Sequence, residues 1–326
     1  MSKTTENRHK MKLEYFGVLK DTADKVDPYI LDYIENNTKN SPKLKQSIIQ
    51  RYRFGKPQLR PAQVRLAYEI VGGKNWEEII PACAAVEVKD TGYYCYDDVF
   101  DLGKDISLTL LGGTLISMSY AMMNDLAKNG SSKMLKEVID EFWKLDLNNV
   151  QGAMIDLRLK EPNEQMYLEK AKKYNFWEHA LKIGAILGGG NSKQVENLGI
   201  IGRNIGIAYI ITNDAWDFGK DLEDFRNGKY TMPVIYALEK AEGEDKIVLN
   251  SLMNKKRLIE EEKNRIREII VKKGVIEYSK KRANEFCDVA RKGLEAFPDC
   301  KAKDMIDFSM TMTQRNKYYD FLKKFK

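Results

Sequence analysis

At the end of one long helical segment the sequence reads Tyr93-Tyr94-Cys95-Tyr96-Asp97-Asp98-Val99-Phe100-Asp101. Apolar residues recur at helical spacing from about Trp76 up to this point. On a helix, Asp97 and Asp98 lie four and three residues before Asp101, so the three carboxylates share one face. Like charges crowded in this way are unfavourable unless cations neutralise them, and oxygen ligands on a rigid helix suit Mg²⁺. The stretch therefore predicts a magnesium site at the helix end.

Composition indicates a helical protein with a large core. The chain has 326 residues, of which 43% are hydrophobic and 31% charged, which is ample for an extensive buried core. It contains only 8 prolines and few alternating apolar runs, a pattern that favours an all-α fold. The net charge of +6 is modest and its basic residues are dispersed, so we expect no nucleic-acid partner.

Targeting signals and metal-binding cysteine motifs are not visible in the sequence. The polar start of the chain lacks the apolar core of a secretory signal, and no run of about eighteen apolar residues predicts a transmembrane helix. The four cysteines have no metal-binding spacing and are interpreted as reduced thiols. We therefore expect a cytoplasmic protein with a single domain over 1–326, in which 1–12 are disordered.

Apolar periodicity and capping residues divide the chain into predicted helices. The predicted helices are 13–36, 41–53, 60–72, 76–101, 106–128, 131–145, 148–158, 164–189, 192–218, 230–241, 246–272, 274–297 and 301–323. The Gly188-Gly189-Gly190 run followed by Asn191-Ser192 is typical of one helix ending and the next beginning. The sequence thus predicts helices connected by short loops.

A second acidic cluster reads Asn213-Asp214-Ala215-Trp216-Asp217-Phe218-Gly219-Lys220-Asp221 and follows another long apolar helix. Asn213, Asp217 and Asp221 are spaced by four, so they are predicted to line one helical face. Two such clusters facing each other across a bundle would hold several Mg²⁺ ions around a diphosphate, with nearby lysines neutralising the remaining charge. The alternative is two solvated helix ends whose charges have no function.

The order of motifs along the chain resembles that of the trans-isoprenyl diphosphate synthases, the polyprenyl synthetase family. The motifs that carry the resemblance are Gly55-Lys56 with Leu59-Arg60-Pro61, Glu87 ten residues before Asp97, Asp97-Asp98-Val99-Phe100-Asp101, Gly152-Ala153-Met154-Ile155-Asp156-Leu157, Lys172 twelve residues before Gly184, Asn213-Asp214-Ala215-Trp216-Asp217, and Gly228-Lys229-Tyr230-Thr231-Met232-Pro233. The resemblance implies an isoprenoid-synthase helical bundle with a central apolar cavity, usually assembled as a homodimer. It also implies an allylic prenyl diphosphate as substrate.

The resemblance assigns roles to individual residues. The implied ligands for about three Mg²⁺ ions are Asp97, Asp98, Asp101, Asn213, Asp217 and Asp221. The implied catalytic residues are Lys172, Lys220 and Asp214. The implied diphosphate-binding residues are Lys56, Arg60, Lys172, Lys220, Lys229 and Arg315. Aromatic residues expected to line the cavity, each with ordinary core packing as its alternative, are Tyr93, Tyr94, Tyr209 and Phe176.

These roles together predict an ionisation reaction. Metal ions and lysines would stabilise the departing diphosphate as charge develops on it, and an allylic carbocation would form. A dry cavity lined by aromatic rings would then protect that cation. Bulk at Tyr93, one turn before Asp97, is expected to keep the products short.

Departures from the family pattern concentrate on the site for the second substrate, isopentenyl diphosphate. Lys56 and Arg60 are four residues apart where the family has three, and Asp90, which would repel a diphosphate, stands at the family's histidine position. No arginine pair follows Asp101, and the candidates to replace its charge are Arg315 and Lys317. Use of isopentenyl diphosphate is therefore an open question at this point.

These departures leave several functions open. Our leading hypothesis is a Mg²⁺-dependent short-chain prenyltransferase that ionises an allylic diphosphate. The alternative is a class I terpene synthase, because Asn213, Asp217 and Asp221, with Lys220 beside them, are similar to the metal triad of those enzymes. Less favoured are prenylation of another acceptor, such as a peptide, and a regulatory subunit without catalytic activity.

Overall fold

Helices make up all of the regular structure that the computed structural model describes. It describes residues 3–52, 54–55, 58–100, 102–128, 132–158, 162–220 and 222–314, and this part of the chain contains no β-strand. The α-helices are α1 (Lys3–Asn37), α2 (Pro42–Arg51), α3 (Leu59–Ile70), α4 (Ile80–Phe100), α5 (Ser107–Asn124), α6 (Ser132–Arg158), α7 (Glu164–Lys173), α8 (Phe176–Leu187), α9 (Ser192–Lys220), α10 (Glu223–Arg226), α11 (Met232–Lys240), α12 (Gly243–Leu252), α13 (Glu260–Lys272), α14 (Val275–Leu294) and α15 (Lys301–Gln314). The predicted all-α class is confirmed.

The centre of the bundle is formed by α3 and α8. Most side chains of both helices are buried on every side, which is typical of helices enclosed by others. α8 packs against α3 on one side and α9 on another, while α4 packs against α5 and α9 against α14. The acidic clusters predicted from the sequence therefore lie on two long helices, α4 and α9, on either side of this centre.

Close helix packing depends on glycine at particular crossings. A Cβ atom built on Gly184 of α8 would lie 2.0 Å from the carbonyl oxygen of Val64 on α3. Gly92 of α4 and Gly112 of α5 meet reciprocally, since a Cβ on Gly112 would lie 2.8 Å from the carbonyl oxygen of Gly92. These contacts bring backbones together at distances that no larger residue allows, and they fix how deeply α4 and α8 sit in the bundle.

Several helix boundaries differ from the predictions. α6 runs unbroken where helices 131–145 and 148–158 were expected, and α1 begins at Lys3, within the segment expected to be disordered. The predicted helix 164–189 is divided at Asn175, whose side chain accepts a hydrogen bond from the backbone N–H of Glu178 and donates one to the carbonyl of Arg203. This buried N-cap begins α8 and separates it from α7, although the apolar periodicity continues across it.

The sequence predicts no transmembrane helix. Within the described ranges, no helix is both long enough and apolar enough to cross a membrane.

Candidate active site

The first acidic cluster lies at the C-terminal end of α4. Asp97 is exposed, whereas the carboxylate of Asp98 accepts a 2.7 Å hydrogen bond from Arg51 of α2 and lies 3.0 Å from the ammonium of Lys104. Partial burial of Asp98 works in the opposite direction, but its hydrogen bonds to Lys104 and Arg51 lower its pKa below the usual value. Asp98 is therefore anionic and already has cationic partners. Asp101 lies outside the described residues.

The second acidic cluster lies near the end of α9 and brings several carboxyls together. Asp214 accepts a 2.7 Å hydrogen bond from the hydroxyl of Tyr167 on α7. Burial, followed by repulsion from Asp224, raises the pKa of Asp214 to about 7, although Lys170 opposes the rise. A carboxyl that resists ionisation among other carboxylates is a place where a bound cation would be strongly stabilising. Asp217, also on α9, adds to the repulsion.

Two parts of this cluster were not predicted as site residues. The ammonium of Lys170 is buried and lies 2.8 Å from Asp156 of α6, while Asp224 belongs to the short helix α10. Tyr167 and Lys170 are three residues apart on α7, so both face the end of α9. That spacing was available in the sequence, but it has no meaning until the position of α7 is known.

The predicted lysines are placed differently from one another. The ammonium of Lys172 forms a 2.6 Å contact with Glu169 at the exposed side of α7. Lys229 lies 3.8 Å from Asp224 and so borders the second acidic cluster. The side chain of Lys220 lies outside the described part of the structure, as do Lys56, Arg315 and Lys317.

The metal prediction rests on chemically suitable donors. The described carboxylates and the Asn213 amide are hard oxygen ligands of the kind that Mg²⁺ prefers. Among the described residues, no three His, Cys, Asp or Glu side chains come together as a metal-binding group. Asp101 and Asp221, one member of each predicted triad, fall outside those residues. Mg²⁺ binding by the two clusters therefore remains a prediction.

Arg60, predicted to bind a diphosphate, is engaged inside the protein. One guanidinium nitrogen lies 3.1 Å from the carboxylate of Asp90, and another donates a 3.0 Å hydrogen bond to the hydroxyl of Tyr94. Glu87 also lies close enough to Arg60 for its negative charge to raise the pKa of the guanidinium. Asp90, at the family's histidine position, thus neutralises the arginine of the second-substrate site in addition to bringing negative charge there.

Burial changes the ionisation of the carboxyls around Arg60. Desolvation raises the pKa of Glu87 to about 8 and that of Asp90 to about 6, with Arg60 opposing both rises. One carboxyl oxygen of Glu87 and the Nε of Arg60 are buried without a hydrogen-bond partner. The region is therefore enclosed and imperfectly satisfied, which is a poor setting for a second, highly charged diphosphate.

The aromatic residues predicted to line the cavity fall into two groups. The Tyr93 and Phe176 rings contact each other at 6.0 Å, and the Tyr93 hydroxyl donates a 2.9 Å hydrogen bond to Asp146 of α6. Tyr94 instead faces Arg60, and Tyr209 packs against Trp177 at 5.8 Å. Tyr93 and Phe176 thus lie together beneath the end of α4, whereas Tyr94 and Tyr209 border the Arg60 side.

Comparisons with known proteins identify the family. The family model described as Polyprenyl synthetase matches residues 42–270. The chain is 28% identical to a geranylgeranyl diphosphate synthase of Methanosarcina mazei, over 77% of this chain and 83% of that protein. It is 26% identical to a short chain isoprenyl diphosphate synthase of Methanothermobacter thermautotrophicus, over 90% and 96% respectively.

Solved structures agree on the fold. The crystal structure of a geranylgeranyl pyrophosphate synthetase from Pyrococcus horikoshii superposes with a TM-score of 0.84 at 22% identity, covering 93% of this chain and 99% of that one. The resemblance inferred from the ordered motifs is therefore confirmed. This chain belongs to the polyprenyl synthetase family, whose enzymes transfer prenyl groups.

Proposed function

We propose that the protein is a Mg²⁺-dependent prenyltransferase that ionises an allylic prenyl diphosphate at the acidic ends of α4 and α9. The observation that carries the proposal is the second cluster, where Asp214 lies close to the carboxyls of Asp224 and Asp217, and where burial and then this repulsion raise the pKa of Asp214 to about 7. Such a site is suited to a divalent cation. The names of the relatives, which are prenyl diphosphate synthases, support a short-chain product.

Different residues of the chain have different roles in the proposed ionisation of the allylic diphosphate. When bound, Mg²⁺ supplies positive charge to the departing diphosphate. Asp97 and Asp98 would hold the metal ion on the side of the leaving group, and the carboxyl of Asp214 would be a further oxygen ligand on the opposite side. Tyr167 orients Asp214 through its hydroxyl, and Lys170 keeps a positive charge beside it. The allylic cation would form next to aromatic rings, away from water.

The second substrate is expected to bind weakly. Isopentenyl diphosphate would need Arg60, which Asp90 and Tyr94 already engage. A lost charge-assisted contact costs about 1.5–3 kcal/mol, or about ten- to a hundredfold in affinity. We propose that prenyl transfer to isopentenyl diphosphate occurs with a high KM, while the allylic diphosphate binds normally.

Assembly as a homodimer is part of the proposal. α6 presents a stripe of large apolar side chains to solvent at helical spacing: Trp143, Leu147, Val150 and Met154, which are 59%, 44%, 51% and 43% exposed. A contiguous apolar stripe of this kind marks an interaction surface, and a second copy of the chain is its proposed partner. A single domain, about three metal ions and a cytoplasmic location remain predictions.

The function is tested with purified protein and labelled allylic diphosphates of different lengths, with and without isopentenyl diphosphate, in Mg²⁺ or in a chelator. A longer diphosphate that forms only with Mg²⁺ and isopentenyl diphosphate supports the proposal. A hydrocarbon or alcohol formed from the allylic substrate alone would instead indicate a terpene synthase. No turnover under any condition would indicate a regulatory subunit.

A further inference from the structure

A charged lysine lies in the interior of the bundle. Lys89 of α4 is fully buried, and its ammonium lies 2.9 Å from the carboxylate of Asp146 and 3.1 Å from the carbonyl oxygen of Phe142, both on α6. The same ammonium lies 3.3 Å from the centre of the Phe142 ring and 4.0 Å from that of Tyr120 on α5. A charge this deep persists only because it is paired and hydrogen-bonded.

Asp146 is hydrogen-bonded to other polar side chains of this region as well. Its carboxylate accepts hydrogen bonds from the hydroxyls of Tyr93 and Tyr120 as well as from Lys89. We call Lys89, Asp146, Tyr93 and Tyr120 the interior charge cluster. The cluster joins α4, α5 and α6, and each of its charges has a partner of opposite sign or a hydrogen bond. It is therefore a stable polar unit in an otherwise apolar region.

The two charged residues of the cluster lie at similar distances from the acidic residues further along α4 and α6. Lys89 precedes Asp97 by eight residues on α4, and Asp146 precedes Asp156 by ten residues on α6. At the helical rise these separations are about 12 Å and about 15 Å. Asp97 belongs to the first acidic cluster, and Asp156 pairs with Lys170 at the second. The interior charge cluster thus lies two to three helical turns deeper in the bundle than Asp97 and Asp156.

We propose that the interior charge cluster is the floor of the prenyl-chain site and limits the length of the chain by its charge as well as by the bulk of Tyr93. This inference rests on the proposed function, because it requires a diphosphate held at the acidic ends with its apolar tail directed inward. A displaced aromatic ring can rotate, but a displaced ion pair leaves two buried charges without partners. The tail therefore stops above Lys89 and Asp146.

Two sets of substitutions distinguish the effect of the buried charge on product length from the effect of the Tyr93 side-chain volume. Tyr93→Ala removes the bulk and keeps the ion pair, whereas adding Lys89→Met and Asp146→Asn removes the charge with little change of shape. We expect Tyr93→Ala to lengthen the product slightly and the triple variant to lengthen it further, as measured by mass spectrometry of the products. Lys182→Met with Glu178→Gln, which neutralises a buried pair between neighbouring turns of α8, is the matched control and should leave the length unchanged.

Each outcome decides between the two proposals. If the wild-type protein forms no elongated product, the proposed function is overturned and the inference falls with it. If the wild type elongates but an active triple variant gives the same length as Tyr93→Ala, only the inference is overturned. Should the triple variant not fold, Lys89→Met with Asp146→Asn is compared with wild type using farnesyl and geranylgeranyl diphosphate as substrates. A gain of about tenfold in kcat/KM for the longer one supports the floor, and an unchanged ratio contradicts it.

Discussion

At the end of α4, Asp97 is exposed and Asp98 is paired with Arg51 and Lys104 near the surface, whereas beside α3 the guanidinium of Arg60 is closed off by Asp90. Both regions combine carboxylates with basic residues, but their access to solvent differs. At the α4 end, the exposed Asp97 and the half-exposed Lys104 can meet a metal ion or a diphosphate without breaking a buried contact. The Arg60 region must break a buried ion pair first. We therefore expect that the allylic half of the proposed site is retained and that its acceptor half is altered.

The largest effect should follow from changes at the α4 end. Asp97→Ala or Asp98→Ala is expected to lower turnover by about a thousandfold or more, because each removes a ligand that would hold the metal on the leaving group. Circular dichroism should show an unchanged fold, because Asp97 is exposed and the basic partners of Asp98 lie close enough to solvent to be hydrated in its absence. Asp140→Ala, which removes an exposed carboxylate of α6, is the matched control. Near-normal turnover of both variants at saturating Mg²⁺ would show that the α4 end is not part of the active site.

A smaller effect is expected at the acceptor half. Asp90→Asn frees Arg60 and should lower the KM for isopentenyl diphosphate by about ten- to a hundredfold, with the KM for the allylic substrate unchanged. The variant should also be less stable, because Arg60 loses its buried counter-charge. A KM for isopentenyl diphosphate that does not change would show that Arg60 takes no part in binding it.

The smallest effect on catalysis is expected at Glu87, where the change is in the pH dependence of stability. The pKa of Glu87 is raised to about 8 by burial, so the folded protein keeps a proton that the unfolded chain has released above its ordinary pKa. The folded state therefore loses stability as pH rises from about 5 to about 8, and the loss is complete above that value. Glu87→Gln cannot ionise, so its stability relative to wild type should increase across this range in urea unfolding experiments. A difference that stays constant with pH would show that Glu87 is ionised throughout.

The sequence was sufficient for features that depend on local spacing. The four-residue intervals in the two acidic clusters and the helical periodicity around them predicted the all-α class and the placement of both clusters near helix ends. Asp90 was recognised as a negative charge in the predicted acceptor region because it stands at the histidine position of the family pattern. Its partner was not, because Arg60 is thirty residues away and meets it only when α3 packs against α4.

Other features depended on tertiary packing and were missed. Asn175 begins α8 as its N-cap, and its second hydrogen bond, to the carbonyl of Arg203 on α9, depends on how the helices pack. An asparagine three residues before Glu178 is a local start signal, but the continuous apolar periodicity outweighed it. The position of α7 decides that Lys170 is buried beside the second cluster while Lys172 faces outward. Lys89 was missed for the same reason. A single lysine in an apolar segment does not predict a buried ion pair, because its partner Asp146 lies on another helix.

The central claim is that the chain binds an allylic diphosphate normally and isopentenyl diphosphate poorly. Calorimetric titration of the wild-type protein with each ligand in Mg²⁺, using a non-hydrolysable analogue of the allylic substrate, measures both affinities directly. The account predicts tight, Mg²⁺-dependent binding of the allylic analogue and binding of isopentenyl diphosphate that is about ten- to a hundredfold weaker. Equal affinities would contradict it, because they would mean that the Arg60–Asp90 pair opens freely or that residues elsewhere have rebuilt the acceptor site.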